Sequence, residues 1–268
     1  MGIVRLKKYA GVIAPLSISL CLLSGCADRA TDAYIEGLDH MRNGKLDAAI
    51  KCFSESIELN PEFDLAYFDR STCYYHQGRT ELAINDKSEA IRLNPQDSLA
   101  YYQRSACYFH IGEVEKALAD QNEALRLNPT DVLGYLYRAN TFYSMDMVDK
   151  CIEDLSKAIE INPEFAPAYQ LRGMAYQDKR EYFMAISDYS DAIKLCPNSA
   201  RLRFVRGQAY HIKKNLDQAI KDYTEAIHLN PKFARAYYAR SFAYRQKGKT
   251  ELANDDMSKA KELMPTLR

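Results

Sequence analysis

The chain has no tryptophan and only 11 glycines among its 268 residues. So few glycines, beside 20 tyrosines, argue against a disordered or low-complexity chain and point to a packed helical protein. It also lacks a charge excess: 36 basic residues balance 36 acidic ones. No bulk field therefore draws it to nucleic acid, and no polyanion partner is expected. None of its seven cysteines forms a Cys-x-x-C pair. Five of them, Cys52, Cys73, Cys107, Cys151 and Cys196, follow residue 26, an odd number that argues against a disulfide framework or a zinc site. Metal-protease, nucleophile-elbow and phosphate-loop motifs are all missing. His76, His110 and His211 have no acid or cysteine at ligand spacing. The chain is therefore read as a non-enzyme, with no catalytic residue, metal, cofactor or small-molecule substrate. Finally, there is no apolar run of the roughly 20 residues that cross a bilayer; the longest, from about Tyr9 to Leu22, contains Pro15.

What is present is a period. AIRLNP at 90–95 returns with variations at 56–61, 124–129, 158–163, 192–197, 226–231 and 260–265. The prolines Pro61, Pro95, Pro129, Pro163, Pro197, Pro231 and Pro265 stand 34 residues apart. A strict period of this length marks a stacked array in which each unit covers its neighbour's apolar face.

With the final proline counted as position 32, Tyr101, Ser105 and Tyr108 share one face of a first helix, A. Gly112 supplies the turn after it. Ala117, Leu118, Ala124, Leu125 and Leu127 form the buried stripe of a second helix, B. Asn128-Pro129 closes that helix, because proline disfavours helical backbone in the residue before it and donates no hydrogen bond. Small residues recur at position 8 (Gly37, Ser71, Ser105, Ala139, Gly173, Gly207, Ser241), and position 20 is alanine except at Cys151. Position 27 is Ser56 and then alanine six times, and position 11 is aromatic in six repeats. This pattern resembles the tetratricopeptide repeat family.

The resemblance implies an all-α, right-handed α-α superhelix of seven helical hairpins, at about 30–61, 62–95, 96–129, 130–163, 164–197, 198–231 and 232–265, with a tail at 266–268. Departures are Arg203 at position 4, His40 at position 11, and Asp146, Arg180 and Lys214 where a turn glycine is expected.

Comparison among the repeats adds a covariation. Position 7 is Arg70, Arg104, Arg138, Arg172, Arg206 and Arg240, and position 23 is Asp86, Asp120, Asp154, Asp188, Asp222 and Asp256. Repeat 1 lacks both, with Glu36 and Cys52 instead. Joint presence and joint absence suggest a structural clamp from A to B within each repeat, possible in bidentate form. At the far end, Asn254 and Lys261 replace residues that are apolar in the other six repeats, which makes the last helix B a solvated cap. Cys73 and Cys107 share a position in adjacent repeats, where helix spacing of roughly 8–10 Å exceeds the ~7 Å reach of a disulfide. They are read as buried thiols.

The amino terminus differs in kind. Arg5, Lys7 and Lys8 precede the apolar run, and Leu23-Ser24-Gly25-Cys26 closes it. This arrangement is similar to the signal and lipobox of bacterial lipoproteins. The resemblance implies removal of residues 1–25, palmitate-type acylation of Cys26, and a tether at 26–29. It also implies a cell-envelope location, on the periplasmic face of the outer membrane because Ala27 is not Asp. Removal would leave 33 basic against 36 acidic residues, a charge of −3.

In tetratricopeptide arrays the A helices line a concave groove. The corresponding residues here are Phe68, Tyr75, Leu99, Tyr102, Phe109, Leu133, Tyr137, Tyr143, Phe204, Tyr238 and Phe242. A lysine at position 5 for gripping a terminal carboxylate is missing. The expectation is a membrane-anchored scaffold that binds peptide segments of envelope proteins in an aromatic groove. The alternatives are an assembly factor for an outer-membrane machine, such as a pilus secretin or the β-barrel machinery, and a regulatory subunit of a cell-wall or glycan enzyme.

Overall fold

The structure, a computed structural model, describes residues 25–264, with side chains from Arg29 onward. The expected signal segment up to Ser24, Pro265 and the tail at 266–268 lie outside the described residues. Fourteen helices follow in order: α1 Gly25–Arg42, α2 Leu46–Leu59, α3 Asp64–His76, α4 Thr80–Leu93, α5 Ser98–His110, α6 Val114–Leu127, α7 Val132–Ser144, α8 Val148–Ile161, α9 Ala166–Asp178, α10 Tyr182–Leu195, α11 Ala200–Ile212, α12 Leu216–Leu229, α13 Ala234–Gln246 and α14 Thr250–Leu263. Among the described residues these fourteen helices pair into seven hairpins, and there is no strand. None of these helices is long and apolar enough to cross a membrane. Backbone at 26–29, expected as a tether, belongs to α1. Nothing in Cys-Ala-Asp-Arg stops a helix, so the pattern beginning at Ala30 extends back to Gly25.

The hairpins fall into two units, three up to Pro129 and four from Thr130. Within each unit every B helix also packs on the A helix of the following hairpin, as α2 does on α3 and α10 on α11. The turns explain the period. Asn60, Asn162 and Asn230 leave the helix in extended backbone, as a following proline demands. Asn60 Oδ1 then accepts a hydrogen bond from the Glu62 N–H at 3.1 Å, and Asn162 and Asn230 repeat this contact.

The A-to-B turns need one left-handed residue each. Gly44, Gly78, Gly112 and Gly248 provide it with φ of 72–82°. Asp146, Arg180 and Lys214 adopt the same conformation, with φ of 58°, 62° and 62°, although each carries a Cβ. The hairpin geometry thus overrides local preference at three of seven turns.

The core lies along the A/B seam. Ala49, Ala83, Ala117, Cys151, Ala185, Ala219 and Ala253 are all fully buried. In three hairpins an aromatic ring fills position 24, and there position 8 is glycine: Gly37 with Phe53, Gly173 with Tyr189 and Gly207 with Tyr223. A Cβ on any of these glycines would lie 2.6–2.7 Å from the ring. Where position 24 is Lys87, Gln121, Leu155 or Met257, position 8 carries serine or alanine. Burial pushes the thiols of Cys73, Cys107 and Cys151 up to about 12, 11 and 12, so they stay protonated at neutral pH.

Candidate functional site

Six of the seven A helices, all but α1, are held by an arginine. In all six hairpins that carry it, Nε and Nη2 donate to the two carboxylate oxygens of the aspartate sixteen residues on, at 2.7–2.8 Å. The third nitrogen reaches the other way. Arg70 Nη1 donates to Ser54 Oγ at 2.9 Å, and Arg104, Arg172, Arg206 and Arg240 donate likewise to Ser88, Ser156, Ser190 and Thr224. Each hydroxyl donates in turn to the carbonyl four residues back, as Ser54 does to Ile50.

One guanidinium therefore joins its own helix B to the preceding helix B. The pairing that sequence suggests within a repeat accounts for only half of this, because a hydroxyl at position 25 looks like ordinary surface. Rings at positions 4 and 11 flank the guanidinium about 5.7 Å away, as Tyr67 and Tyr74 do for Arg70. Repeat 6 differs: Arg203 occupies position 4, its buried Nε has no hydrogen-bond partner, and its Nη1 stands 4.0 Å from Asp222.

These bridges hold the A helices that carry the expected groove residues. In the first unit Tyr75, Leu99 and Phe109 are exposed on α3 and α5. Asp97 caps α5 by accepting the Leu99 N–H at 2.9 Å. Tyr75 stands edge-on to His110 at 6.1 Å. Phe68 and Tyr102 are half-buried.

A cation that sequence reading passed over lies beneath Phe68. Lys87 is 2% exposed, donates from Nζ to the Phe68 carbonyl at 2.8 Å and lies 3.1 Å from the centre of the Phe68 ring. Burial lowers it to about 7, against the opposing pull of Asp69. Burial likewise raises Asp69, which accepts a 2.6 Å hydrogen bond from Tyr34 Oη across to α1. The available signal was a lysine at position 24, where the other repeats place a ring, an aliphatic side chain or Gln121.

In the second unit Leu133 and Tyr137 are exposed on α7. Tyr143 donates to Asp178, joining α7 to α9, and this bond together with burial raises the phenol to about 12. A cleft of about 810 Å³ lies between α11 and α13, lined by Ala200, Phe204, Val205, Phe233, Tyr238 and Ala239, with Arg201 and Arg235 at its edge. A second space of about 520 Å³ shares Gln208, Tyr238 and Ala239 and reaches Phe242, His211 and Lys214. Tyr238 and Phe242 pack with ring centres 4.8 Å apart.

Phe204, one of the expected groove residues, lines this cleft. It is 9% exposed, with its ring centre 5.0 Å from Phe233 and 5.9 Å from Tyr223, so it is core at the base of the cleft. The physical reason is that position 5 leans toward the neighbouring seam where Gly207 lets Tyr223 approach. The cleft has an apolar floor, and the exposed cations Arg201 and Arg235 are among its lining residues, while Lys214 lines the second space. It has the chemistry to take apolar side chains with an acidic group beside them.

Helical hairpins stacked in chain order and bridged by repeating polar contacts define a helical-repeat protein. Sequence models described as tetratricopeptide repeat match residues 34–87, 98–131, 166–199 and 234–266, and one described as TPR repeat matches 207–248. The chain belongs to the tetratricopeptide repeat proteins. It is similar to the crystal structure of MamA protein, with 26% identity, a TM-score of 0.59, and coverage of 63% of this chain and 92% of that one. A second similar structure is YrrB, described as a TPR protein with an unusual peptide-binding site, at 23% identity, TM-score 0.59 and coverage of 68% and 93%. A third is a tetratricopeptide repeat protein from Parabacteroides merdae ATCC 43184, at 19% identity, TM-score 0.67 and coverage of 88% and 94%. The last two share the fold. No curated protein sequence matches the chain.

Proposed function

We propose that the protein is a lipid-anchored, non-catalytic adaptor of the bacterial cell envelope, on the periplasmic face of the outer membrane, that holds peptide segments of other envelope proteins. The observation that carries the reading is the cleft between α11 and α13, apolar at its floor with arginines at its edge. Exposed Tyr75, Leu99 and Phe109 support a similar role for the first unit. Rigid aromatic side chains bury much area for little lost freedom, which suits them as anchors for a bound chain. The YrrB description, a TPR protein with a peptide-binding site, is consistent with this use of the fold. Anchoring rests on Arg5, Lys7, Lys8, the apolar run and Leu23-Ser24-Gly25-Cys26. More than one acyl chain on Cys26 would hold the protein stably, where a single chain would not.

The test is crosslinking and capture from intact envelopes of wild type, Tyr102→Ala with Phe109→Ala, and Tyr238→Ala with Phe242→Ala. Loss of defined partners by a variant that keeps its helicity is the expected result. An unchanged partner set for both variants would refute groove binding. Palmitate labelling and membrane fractionation of Cys26→Ser test the anchor, and undiminished labelling would refute it.

A further inference from the structure

The first hairpin departs from the other six at one connected set of positions. Where they place an arginine, its aspartate and an aromatic ring, it has Glu36, Cys52 and His40. Glu36 and His40 lie one turn apart on α1, and Cys52 comes from α2. A carboxylate oxygen, an imidazole nitrogen and Cys52 Sγ all lie within 4.8 Å of one another. His40 Nε2 is 3.6 Å from Glu36 Oε1. The Glu36 side chain is 68% exposed and that of His40 29%, while Cys52 is half-buried. The cluster thus opens to solvent on one side and is backed by the hairpin on the other. Linear spacing conceals it, because His40 and Cys52 belong to different helices.

We propose that Glu36, His40 and Cys52 bind a divalent transition metal of the zinc class, which joins α1 to α2 where the other hairpins use the arginine–aspartate bridge. Donor atoms around a tetrahedral zinc sit about 3.4 Å apart, given bonds of about 2.0–2.3 Å. Side-chain rotations of about an ångström therefore close the site. One sulfur, one nitrogen and one oxygen donor select zinc-like ions over magnesium or calcium, which take oxygen ligands. Three protein donors leave a fourth position for water.

On binding, the Cys52 S–H bond breaks, its proton passes to solvent and the thiolate bonds to the metal; His40 enters neutral, and no electron moves. Glu36 and Glu55 stand near Cys52, with Lys51 as the opposing charge. The same acids favour a cation there. The hairpin does not need the metal to fold, since Phe53 against Gly37 already fills its seam.

The test uses the full chain, reduced and freed of metal by chelator, titrated with Zn²⁺ by calorimetry and with Co²⁺ by absorbance. The expected result is one equivalent bound with a thiolate-to-cobalt charge-transfer band. Cys52→Ser should lose the band, and His40→Phe should weaken Zn²⁺ binding at least about tenfold. Glu36→Arg with Cys52→Asp writes the bridge of the other repeats into the first, and should keep full helicity while binding no metal. The proposal is overturned if wild type takes up neither ion, if cobalt gives no sulfur band, or if the double variant binds as tightly as wild type.

Discussion

At the scale of single residues, the buried charge of Lys87 sets a pH dependence. Its ordinary value is 10.5 and its folded value about 7, so between these the unfolded chain binds a proton that the folded chain does not. Stability therefore rises with pH across that window, by at most about 1.4 kcal/mol per pH unit. Above about 9 the buried thiols Cys73, Cys107 and Cys151 act oppositely, because the unfolded chain loses their protons first. Urea unfolding at pH 7, 8 and 9 should show stability increasing in wild type and a flatter profile in Lys87→Met. An unchanged slope in the variant would place the titration elsewhere. The position was legible only as an oddity in the sequence, since whether a lysine is buried depends on side chains of another helix, here Phe68 and Asp69 on α3.

At the scale of the element, each hairpin is a fit between two helices. Gly173→Ala puts a methyl 2.7 Å from the Tyr189 ring. It should destabilise by about 1–3 kcal/mol despite alanine's better helix propensity. Adding Tyr189→Leu recreates the Ala139 and Leu155 combination of the fourth hairpin and should recover part of that loss. A double-mutant cycle with zero coupling would contradict the fit. The turns offer the opposite case. Arg180 holds φ at 62° with a Cβ present, so Arg180→Gly should stabilise by about 1 kcal/mol, read as a higher urea midpoint. Period and small positions were readable from residues, because they follow from contacts repeated in every hairpin, whereas the start of α1 at Gly25 was not. The glycine-to-ring correspondence was present in the same rows, but a list of small residues conceals it until their partners are known. The same is true of Ser54, Ser88, Ser156, Ser190 and Thr224 beneath the arginines.

At the scale of the molecule, an array must end without inviting another unit. Asn254 and Lys261 are exposed on α14, where other B helices present apolar residues to the next hairpin. Asn254→Leu with Lys261→Leu should restore that adhesive face. Sedimentation should then show concentration-dependent self-association that wild type lacks, whereas a monodisperse variant would mean that the cap has another origin. The candidate binding surface was drawn as a set of first-helix positions, of which Tyr75, Leu99, Phe109, Leu133, Tyr137 and Phe242 are exposed. The depth of Phe204 was not legible, because it depends on Tyr223 on α12 and on Phe233 just before α13.

Sequence by itself determined the seven hairpins, their turns and the family, because a 34-residue period encodes contacts between near neighbours and repetition averages out local exceptions. Only tertiary structure decided which polar atoms meet: the arginine that joins two B helices, the lysine under Phe68, and the glutamate, histidine and cysteine gathered in the first hairpin. Those depend on distances between side chains from different helices, and a spacing along the chain does not specify a distance across it.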